Sequence, residues 1–322
     1  MRSIPKPPQG EFITDTDKLL NYLGLKRKDA PYRIGCDGSF PLKASFSYAD
    51  RIVKQNWYDP LLLQILPREE ETEGMEGFSE DPLKESSAFI APGVLQKYPS
   101  RILVMSSSVC SIHCRFCFRK NCQIKQLPQD ATWRDIRGKK DIDEVILSGG
   151  DPLCLSNKKL HEIFEELVSM EHLRLLRIHT RVPVSLPSRI DNQVLDMLSV
   201  INEKKTLTLV IHTNHPQELQ NDCSEVLKKI RSRGILVLSQ SVLLKGINDS
   251  VRTLRELSLR LIEHGILPYY LHQFDRVKGG SHFEVAIEKG KSLVGEMLRC
   301  TCGYGLPKYV QEIPGESSKI PL

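Results

Sequence analysis

The sequence contains no long apolar run, and no apolar segment approaches the roughly 18 residues that a membrane span requires. Its opening stretch, MRSIPKPPQG, lacks the apolar core of a secretory signal peptide. Tryptophan is scarce, with two residues among 322, and no internal repeat or low-complexity tract occurs. These absences predict a soluble protein that makes no contact with a membrane.

A strong excess of one charge sign is also missing. The chain has 45 Lys and Arg against 40 Asp and Glu, a formal net charge of +5. The basic residues are spread along the chain, so the sequence predicts no nucleic-acid partner. With 40% apolar and 26% charged residues, the composition is that of a globular protein and excludes disordered, collagenous and disulfide-scaffold chains.

Cysteine, in contrast, is plentiful. Nine cysteines are present, an odd number. A secreted chain would expose a leftover thiol to oxidation, so this usage predicts a reducing, cytoplasmic location. Three of the cysteines, Cys110, Cys114 and Cys117, fall within eight residues. In a reducing compartment such clusters usually serve metal or redox chemistry.

The sequence pattern changes near residue 96. Residues 1–95 are rich in proline and charge and predict a mainly helical region, with a helix at Thr16–Leu25 and a solvated loop at Arg68–Glu73. In residues 96–305, short apolar runs alternate with amphipathic segments. The predicted strands are Arg101–Ser107, Glu144–Leu147, Leu173–Ile178, Leu207–His212, Ile235–Ser239 and Leu267–His272. The predicted helices are Asn157–Val168, Asn192–Ile201, Gln217–Arg233, Val251–His264 and Phe283–Leu298.

Alternating strands and helices predict βαβ units and a parallel sheet, because parallel strands need crossover connections. Six such units make an α/β sheet or a partial barrel, and in both architectures ligands bind beyond the carboxyl ends of the strands. The cysteine loop follows the first predicted strand directly, and Gly149-Gly150-Asp151 follows the second. We therefore expect these two segments at one site, although a Gly-Gly-Asp-Pro sequence alone is more often a turn.

Three thiolates on one loop can converge on a small inorganic centre. A structural zinc site needs four ligands, and the fourth would be His113, Cys122 or a distant residue. Iron–sulfur clusters are usually held by four thiolates, so a cluster held by three keeps one iron open to a small molecule. Buried free cysteines that act as small apolar side chains are the remaining alternative.

The C-x3-C-x2-C spacing, with Phe116 before the last cysteine, resembles the signature of the radical S-adenosylmethionine superfamily. The resemblance implies a [4Fe–4S] cluster whose unique iron is chelated by S-adenosylmethionine. It implies three metal ligands, Cys110, Cys114 and Cys117. Gly149, Gly150 and Asp151 are similar to the superfamily's Gly-Gly-Glu-type element that binds the methionine amino group, with Asp in place of Glu.

Over longer stretches, from about Asn56 to the end, the chain resembles the lysine 2,3-aminomutases. Matching segments include CSIHCRFCFRK (Cys110–Lys120), TRVPVSLPSRI (Thr180–Ile190), LPYYLHQFD (Leu267–Asp275) and PGESSKIPL (Pro314–Leu322). The resemblance implies a partial (β/α)6 barrel with an N-terminal, mainly helical extension. It also implies a C-terminal tail, residues 306–322, that closes the barrel mouth.

The same resemblance implies an isomerase that moves the amino group of L-lysine from carbon 2 to carbon 3, using pyridoxal phosphate and a reducing electron donor. Ending soon after Lys319, the chain is similar to the branch that makes (R)-β-lysine for the modification of elongation factor P. Arginine and glutamate are alternative substrates. A zinc-stabilised nucleic-acid-binding protein is the alternative from another class.

Individual site residues follow from the same resemblance. Lys319, in Pro-Gly-Glu-Ser-Ser-Lys-Ile-Pro, matches the lysine that holds pyridoxal phosphate as a Schiff base. Arg119 matches the arginine that binds the substrate carboxylate. The implied ligands of the cofactor's ring and phosphate are Lys97, Tyr98, Arg101 and, more weakly, Arg181.

Two carboxylates, Asp275 and Glu312, correspond to the pair that holds the ε-ammonium of lysine. They argue against glutamate as substrate, because its side-chain carboxylate would be repelled. The chain departs from the free-lysine enzymes at Lys97 in place of Arg, Glu312 in place of Asp and His272 in place of Tyr. Lys97 keeps the charge but loses the bidentate geometry of an arginine.

Overall fold

The computed structural model describes residues 12–35, 38, 40–122 and 127–322, so the opening stretch considered above for a signal peptide lies outside it. The helices of this part are α1 (Thr16–Leu23), α2 (Phe46–Asp50), α3 (Pro60–Leu63), α4 (Asp130–Gly138), α5 (Asn157–Val168), α6 (Val182–Ser185), α7 (Asn192–Lys204), α8 (Asp222–Ser232), α9 (Val251–Glu263) and α10 (Ile287–Cys300). The strands are β1 (Phe12–Ile13), β2 (Ala44–Ser45), β3 (Phe89–Ala91), β4 (Val94–Tyr98), β5 (Arg101–Ser107), β6 (Glu144–Gly149), β7 (Leu175–Thr180), β8 (Thr206–His212), β9 (Leu236–Val242), β10 (Leu267–His272), β11 (Lys308–Gln311) and β12 (Ile320–Pro321). None of the described helices is both long enough and apolar enough to span a bilayer.

Strands β3 to β12 form one sheet in which every strand pairs with its neighbour along the chain. Strands β5 to β11 run parallel, β12 returns antiparallel to β11, and β3 and β4 extend the opposite edge as antiparallel strands. Since crossovers between parallel strands share one hand, this order places the crossover helices on one face and curls the sheet into a partial barrel. The predicted α/β fold class is confirmed.

The predicted parallel strands agree closely with the observed ones. Arg101–Ser107 and Leu267–His272 match β5 and β10 at both ends, and the other four agree within three residues at each end. Helix α4 was not predicted, because its sequence is charged and it buries only Thr132, Trp133 and Ile136. The two strands at each edge of the sheet were not predicted either, because β3, β11 and β12 are too short to show a clear period.

Side chains alternate between the two faces of the sheet, as the period of a strand requires. In β5 and β6 the residues Ile102, Val104, Val145 and Leu147 are buried in the core under the helices. Several of the intervening residues, among them Arg101 and Ser148, line a cavity on the opposite side. This alternation separates the apolar core of the barrel from its functional face.

The N-terminal region shares the core of the barrel. Leucines of α1 and α3, together with Tyr48, belong to the same buried cluster as the barrel helices. The predicted boundary at residues 95 and 96 falls inside β4, which pairs with β5. The division of the chain into three regions, residues 1–95, 96–305 and 306–322, stays a proposal.

The acidic run Arg68–Glu73 is not a solvated loop throughout, so that prediction is wrong at Glu71. The Glu71 carboxylate is buried and accepts hydrogen bonds from Arg115 Nη2 at 2.7 Å and from Lys120 Nζ at 3.2 Å. Both cations belong to the segment that follows Cys114. A buried carboxylate needs such partners, and a run of like charges does not reveal them.

Candidate active site

One cavity of about 380 Å³ lies against the inner face of the sheet and brings together residues from nearly every parallel strand. All residues predicted for the site line it. They are Lys97, Tyr98, Arg101, Cys110, Cys114, Cys117, Arg119, Gly149, Gly150, Asp151, Arg181, Asp275, Glu312 and Lys319. The C-terminal tail contributes its last two members, so the tail reaches the same space as the cysteine loop.

The cysteine loop follows β5 and is tied to the N-terminal region. The backbone N–H groups of His113 and Arg115 donate to the carbonyls of Lys43 and Gln64, each at 2.9 Å. Burial raises the pKa of all three cavity thiols, that of Cys117 to about 11. These thiols are therefore neutral until a metal replaces their protons.

The additional zinc ligands considered from the sequence are His113 and Cys122. The His113 ring stacks on Phe40 with centroids 4.7 Å apart, and its Nδ1 lies 2.7 Å from the Pro41 carbonyl oxygen. Neither His113 nor Cys122 lines the cavity. Among the described residues, no group of three His, Cys, Asp or Glu side chains is placed to hold a single metal ion. This arrangement disfavours the zinc alternative.

The turn after β6 packs against the start of the cysteine loop. Gly149 has φ +110°, and a Cβ atom there would lie 2.6 Å from the Ser107 carbonyl oxygen. A Cβ atom on Gly150 would lie 2.5 Å from the Val109 carbonyl oxygen. Glycine is required at both positions because only a bare backbone fits this approach.

Asp151 holds the next strand in place. Its carboxylate accepts hydrogen bonds from Thr180 Oγ1 at 2.7 Å and from the backbone N–H groups of Leu153, Arg181 and Val182 at 3.1, 2.6 and 3.2 Å. These four bonds use the lone pairs that a carboxylate offers. In this structure Asp151 therefore joins the ends of β6 and β7 beside the cavity.

Five charged side chains of alternating sign run through the cavity. Arg119 donates from Nε and Nη2 to Glu85 at 2.7 and 2.9 Å, and Lys97 Nζ lies 3.1 Å from the same carboxylate. Lys97 also donates to Glu312 at 2.7 Å, and Glu312 accepts from Lys319 on its other oxygen. Each carboxylate thus lies between two cations.

Glu85 is the member of this series that the sequence analysis missed. It is 4% exposed, and its N–H donates to Asp81 at 2.8 Å, which caps the short turn Glu85–Ser87. Although burial opposes ionisation, Arg119 and Lys97 hold the pKa of Glu85 below its usual value. A single glutamate in a polar segment carries no sequence signal for this role.

Asp275 and Glu312 differ in their protonation although they share the cavity. Burial and the neighbouring Glu312 raise the pKa of Asp275 to about 7. Burial also opposes the ionisation of Glu312, but Lys319 and Lys97 hold its pKa at about 2. No hydrogen bond to the Asp275 carboxylate is found among the described residues, so this group is available to a ligand.

Three neutral imidazoles, those of His179, His212 and His272, line the cavity. Burial, together with Lys319, lowers the pKa of His272 to about 3. Burial also lowers the pKa of His179 and His212, whose Nε2 atoms are buried without a hydrogen-bond partner. The His212 ring stacks on Phe116 with centroids 5.5 Å apart.

The cavity has six cationic side chains, and only Arg101 lacks an acidic partner among the described residues. Its Nε is buried without a hydrogen-bond partner, and its guanidinium lies 4.7 Å from the centre of the Tyr98 ring. Arg177 pairs with Glu144 at 2.7 Å, and the others are paired as described above or, for Arg181, with Glu218. Arg101 is thus the cation that is free to bind an anion.

The donor set fits the implied cofactors. Three thiols face the cavity at one end, and thiolates are the usual ligands of an iron–sulfur cluster. At the other end, a primary amine on Lys319 and an unpaired guanidinium on Arg101 suit an aldehyde that carries a phosphate. His179 and His212, whose buried Nε2 atoms have no hydrogen-bond partner, line the same cavity.

The chain is similar to known proteins along nearly its whole length. No family model matches the chain. It is 40% identical over 314 residues to an L-lysine 2,3-aminomutase of Buchnera aphidicola, which covers 96% of this chain and 92% of that protein. It is 35% identical over 321 residues to the protein of the same name from Escherichia coli, covering 97% and 92%.

Among solved structures, Streptococcus suis SuiB bound to S-adenosylmethionine aligns with a TM-score of 0.50 and 17% identity, covering 71% of this chain and 54% of that one. The likeness shows the fold alone, an α/β partial barrel with a mostly parallel sheet. The sequence identity to the curated relatives shows the family as well as the fold. The chain belongs to the L-lysine 2,3-aminomutase family, which confirms the resemblance and the predicted enzyme class, an isomerase.

Proposed function

We propose that the protein converts L-lysine to β-lysine by moving the amino group from carbon 2 to carbon 3. The observation that carries this proposal is the placement of Lys319 and the three cysteines in one cavity of about 380 Å³. Residues more than 200 positions apart, from a loop and from the tail, supply the two kinds of ligand. Family membership confirms the cofactors, a [4Fe–4S] cluster, S-adenosylmethionine and pyridoxal phosphate.

When bound, the cluster with S-adenosylmethionine supplies a carbon radical that removes hydrogen, and pyridoxal phosphate supplies a conjugated ring that supports nitrogen migration. The protein itself needs no acid–base pair for that chemistry. Its residues bind, orient and shield the reactants. We assign Cys110, Cys114 and Cys117 as the cluster ligands, with Gly149 and Gly150 beside the S-adenosylmethionine and Asp151 holding their turn.

The phosphate end of the cavity is assigned to Arg101 and Tyr98. Arg101 can bind the phosphate electrostatically, because it is the cavity cation without an acidic partner among the described side chains. Lys97 contributes charge, but two carboxylates already hold its ammonium. We therefore propose that Lys97 connects the phosphate end of the cavity to Glu312, one of the carboxylates that bind the substrate's ammonium group.

The substrate is held through its two ends. Arg119 presents its guanidinium for the α-carboxylate, and Glu85 fixes the orientation of that guanidinium through two hydrogen bonds. At the other end, Asp275 and Glu312 accept the ε-ammonium. Two carboxylates at this end favour lysine or arginine and disfavour glutamate.

A finer proposal concerns the product and its use. Glu312 and His272 stand where enzymes acting on free lysine carry other residues, and this pattern is similar to the branch that serves elongation factor P. We propose that the product is (R)-β-lysine, that it is used to modify elongation factor P, and that a low-potential electron donor of the cytoplasm reduces the cluster.

Direct turnover tests the function. The protein is loaded anaerobically with iron and sulfide, incubated with L-lysine, S-adenosylmethionine, pyridoxal phosphate and dithionite, and analysed for β-lysine on a chiral column. We expect (R)-β-lysine, and no reaction when any cofactor is omitted. Cys117→Ser should abolish product, whereas Cys300→Ser, which alters an exposed thiol, should leave it unchanged. Faster consumption of arginine or glutamate than of lysine would reject the substrate assignment.

A further inference from the structure

Arg181 lies at the end of β7 and contacts the cysteine loop. Its Nη1 donates to the Sγ atom of Cys114 at 2.6 Å. The side chain is 6% exposed, so water does not compete for this contact. The structure thus directs a permanent cation at one of the three sulfur atoms assigned to the cluster.

Buried polar side chains fix the orientation of this guanidinium. Nη2 donates to Gln64 Oε1 at 2.6 Å and to Glu218 Oε1 at 3.0 Å. Gln64 also donates to the same Glu218 oxygen at 2.6 Å, and the other oxygen of Glu218 accepts from the Asn214 backbone N–H at 3.2 Å. Glu218 is 0% exposed, so its charge is confined to this network.

Two aromatic rings lie close to the guanidinium. Its central carbon lies 5.5 Å from the centre of the Phe116 ring and 5.6 Å from that of Tyr48. The arrangement leaves Arg181 little freedom to turn toward a phosphate elsewhere in the cavity. Its Nη1 donates to Cys114, whereas its Nη2 pairs with Glu218.

We propose that Arg181 sets the reduction potential of the iron–sulfur cluster by donating to the Cys114 sulfur. The proposal rests on the proposed function, which assigns that sulfur as a cluster ligand. Reduction adds one electron from a low-potential one-electron donor to the cluster, without making or breaking a bond in the protein. The added negative charge is shared with the sulfur ligands, so a hydrogen-bonded cation beside one of them stabilises the reduced state.

Glu218 and Gln64 act through Arg181. The carboxylate offsets part of the guanidinium charge and, with the Gln64 amide, fixes the direction of the donor. This assignment differs from the sequence-based expectation that Arg181 binds the phosphate of pyridoxal phosphate. It also gives the N-terminal region a function, because Gln64 and Tyr48 come from that region.

The test is a redox titration of the cluster-loaded protein, followed by electron paramagnetic resonance, with no lysine or S-adenosylmethionine present. In Arg181→Gln we expect at least a tenfold lower ratio of reduced to oxidised cluster at a given potential, a downward shift of about 59 mV for one electron. Glu218→Gln should shift the potential upward, because it removes the partner that offsets the cation. Arg177→Gln, which removes a cavity cation without a described cysteine contact, should leave the potential unchanged.

An unchanged potential in cluster-loaded Arg181→Gln would overturn the proposal. Arg181→Gln leaves Glu218 unpaired and could fail to fold. In that case the double variant, Arg181→Gln with Glu218→Gln, is measured instead. The reduction potential of the double variant should lie below that of the single variant Glu218→Gln. Equal potentials in these two proteins would reject the role of Arg181. Failure of the unaltered protein to bind any cluster would instead reject the proposed function itself.

Discussion

Asp275 and Glu312 are neighbouring carboxylates with opposite shifts in pKa. Because Asp275 has a pKa of about 7, it is mostly protonated in the free cavity below that pH, whereas Glu312, with a pKa of about 2, stays ionised. An arriving ammonium group needs both charges. The free enzyme therefore binds lysine better as Asp275 loses its proton.

We predict that kcat/KM for L-lysine rises as the pH increases through about 7. Asp275→Asn should remove this rise and raise KM roughly tenfold to hundredfold, the effect of losing about 1.5–3 kcal/mol from a charged hydrogen bond. Measuring initial rates from pH 5.5 to 9 checks the prediction. Asp196→Asn, at an exposed carboxylate that pairs with Arg233, is the matched control. An identical pH profile in Asp275→Asn would contradict the assignment.

Lys319 is the residue of the C-terminal tail to which we assign the binding of pyridoxal phosphate. Its amine contacts Glu312 and lies 6.0 Å from the centre of the Tyr270 ring. We predict that Lys319→Ala loses stable binding of pyridoxal phosphate and all isomerisation. The absorbance of bound cofactor after gel filtration, together with β-lysine analysis, measures both effects. The control, Lys308→Ala, alters an exposed lysine of the same tail and should behave as the unaltered protein. Retained activity in Lys319→Ala would rule out Lys319 as the residue that binds pyridoxal phosphate.

At the scale of elements, the site depends on how closely β6 approaches the cysteine loop. The Gly150 N–H donates to the Ser107 carbonyl at 2.7 Å, and the Asp151 N–H donates to the Val109 carbonyl at 2.8 Å. These bonds connect the end of one strand to the first residues of the loop that follows the other. A side chain at Gly149 would force the two segments apart.

We predict that Gly149→Ala impairs cluster loading, because its Cβ would lie 2.6 Å from a backbone oxygen and its φ of +110° disfavours alanine. Iron and sulfide content after anaerobic loading measures this effect. The control, Gly295→Ala, is inside α10 with no atom within 4 Å of the new Cβ and should stabilise the fold by about 0.5–1 kcal/mol. Full cluster occupancy in Gly149→Ala would show that the close approach is not required.

The tail is positioned by strand pairing rather than by its own sequence. Strand β11 lies parallel to β10, β12 pairs with β11, and the Leu322 N–H donates to the Tyr309 carbonyl at 3.0 Å. This pairing fixes the segment between the two strands across the cavity. Lys319 therefore reaches the site because the sheet continues beyond its sixth parallel strand.

At the scale of the whole molecule, the N-terminal region and the barrel share one apolar core. Residues Leu61 and Leu62 of α3 are 0% exposed and belong to the same cluster as Trp133 of α4. Buried polar contacts add to this link, since Gln64 reaches Glu218 across 154 positions. We therefore expect the two regions to unfold together.

The two tryptophans allow this prediction to be tested, because Trp57 lies in the N-terminal region and Trp133 in the barrel. Fluorescence melting of Trp57→Phe and Trp133→Phe, each with one remaining reporter, should give coincident transitions. Leu62→Ala should lower both midpoints, at a cost of about 2–5 kcal/mol. Two separate transitions would instead make residues 1–95 an independent domain.

Much of this architecture follows from local patterns. The period of apolar residues predicted six of the seven parallel strands. The spacing of Cys110, Cys114 and Cys117 predicted their convergence, because both features depend on residues that are close in the chain. The same holds for the Gly-Gly-Asp turn. A resemblance to known sequences then supplied Lys319, Asp275 and Glu312, which no local pattern distinguishes.

The tertiary structure alone decided which charges meet. Arg119 and Glu85 are 34 positions apart and Lys97 and Glu312 are 215 apart, and their pairing depends on the strand order that brings both edges of the sheet around one cavity. Glu71 likewise gains its partners only through folding. Desolvation and ion pairing act through space, so the protonation of Asp275 and the orientation of Arg181 could not be predicted from the sequence.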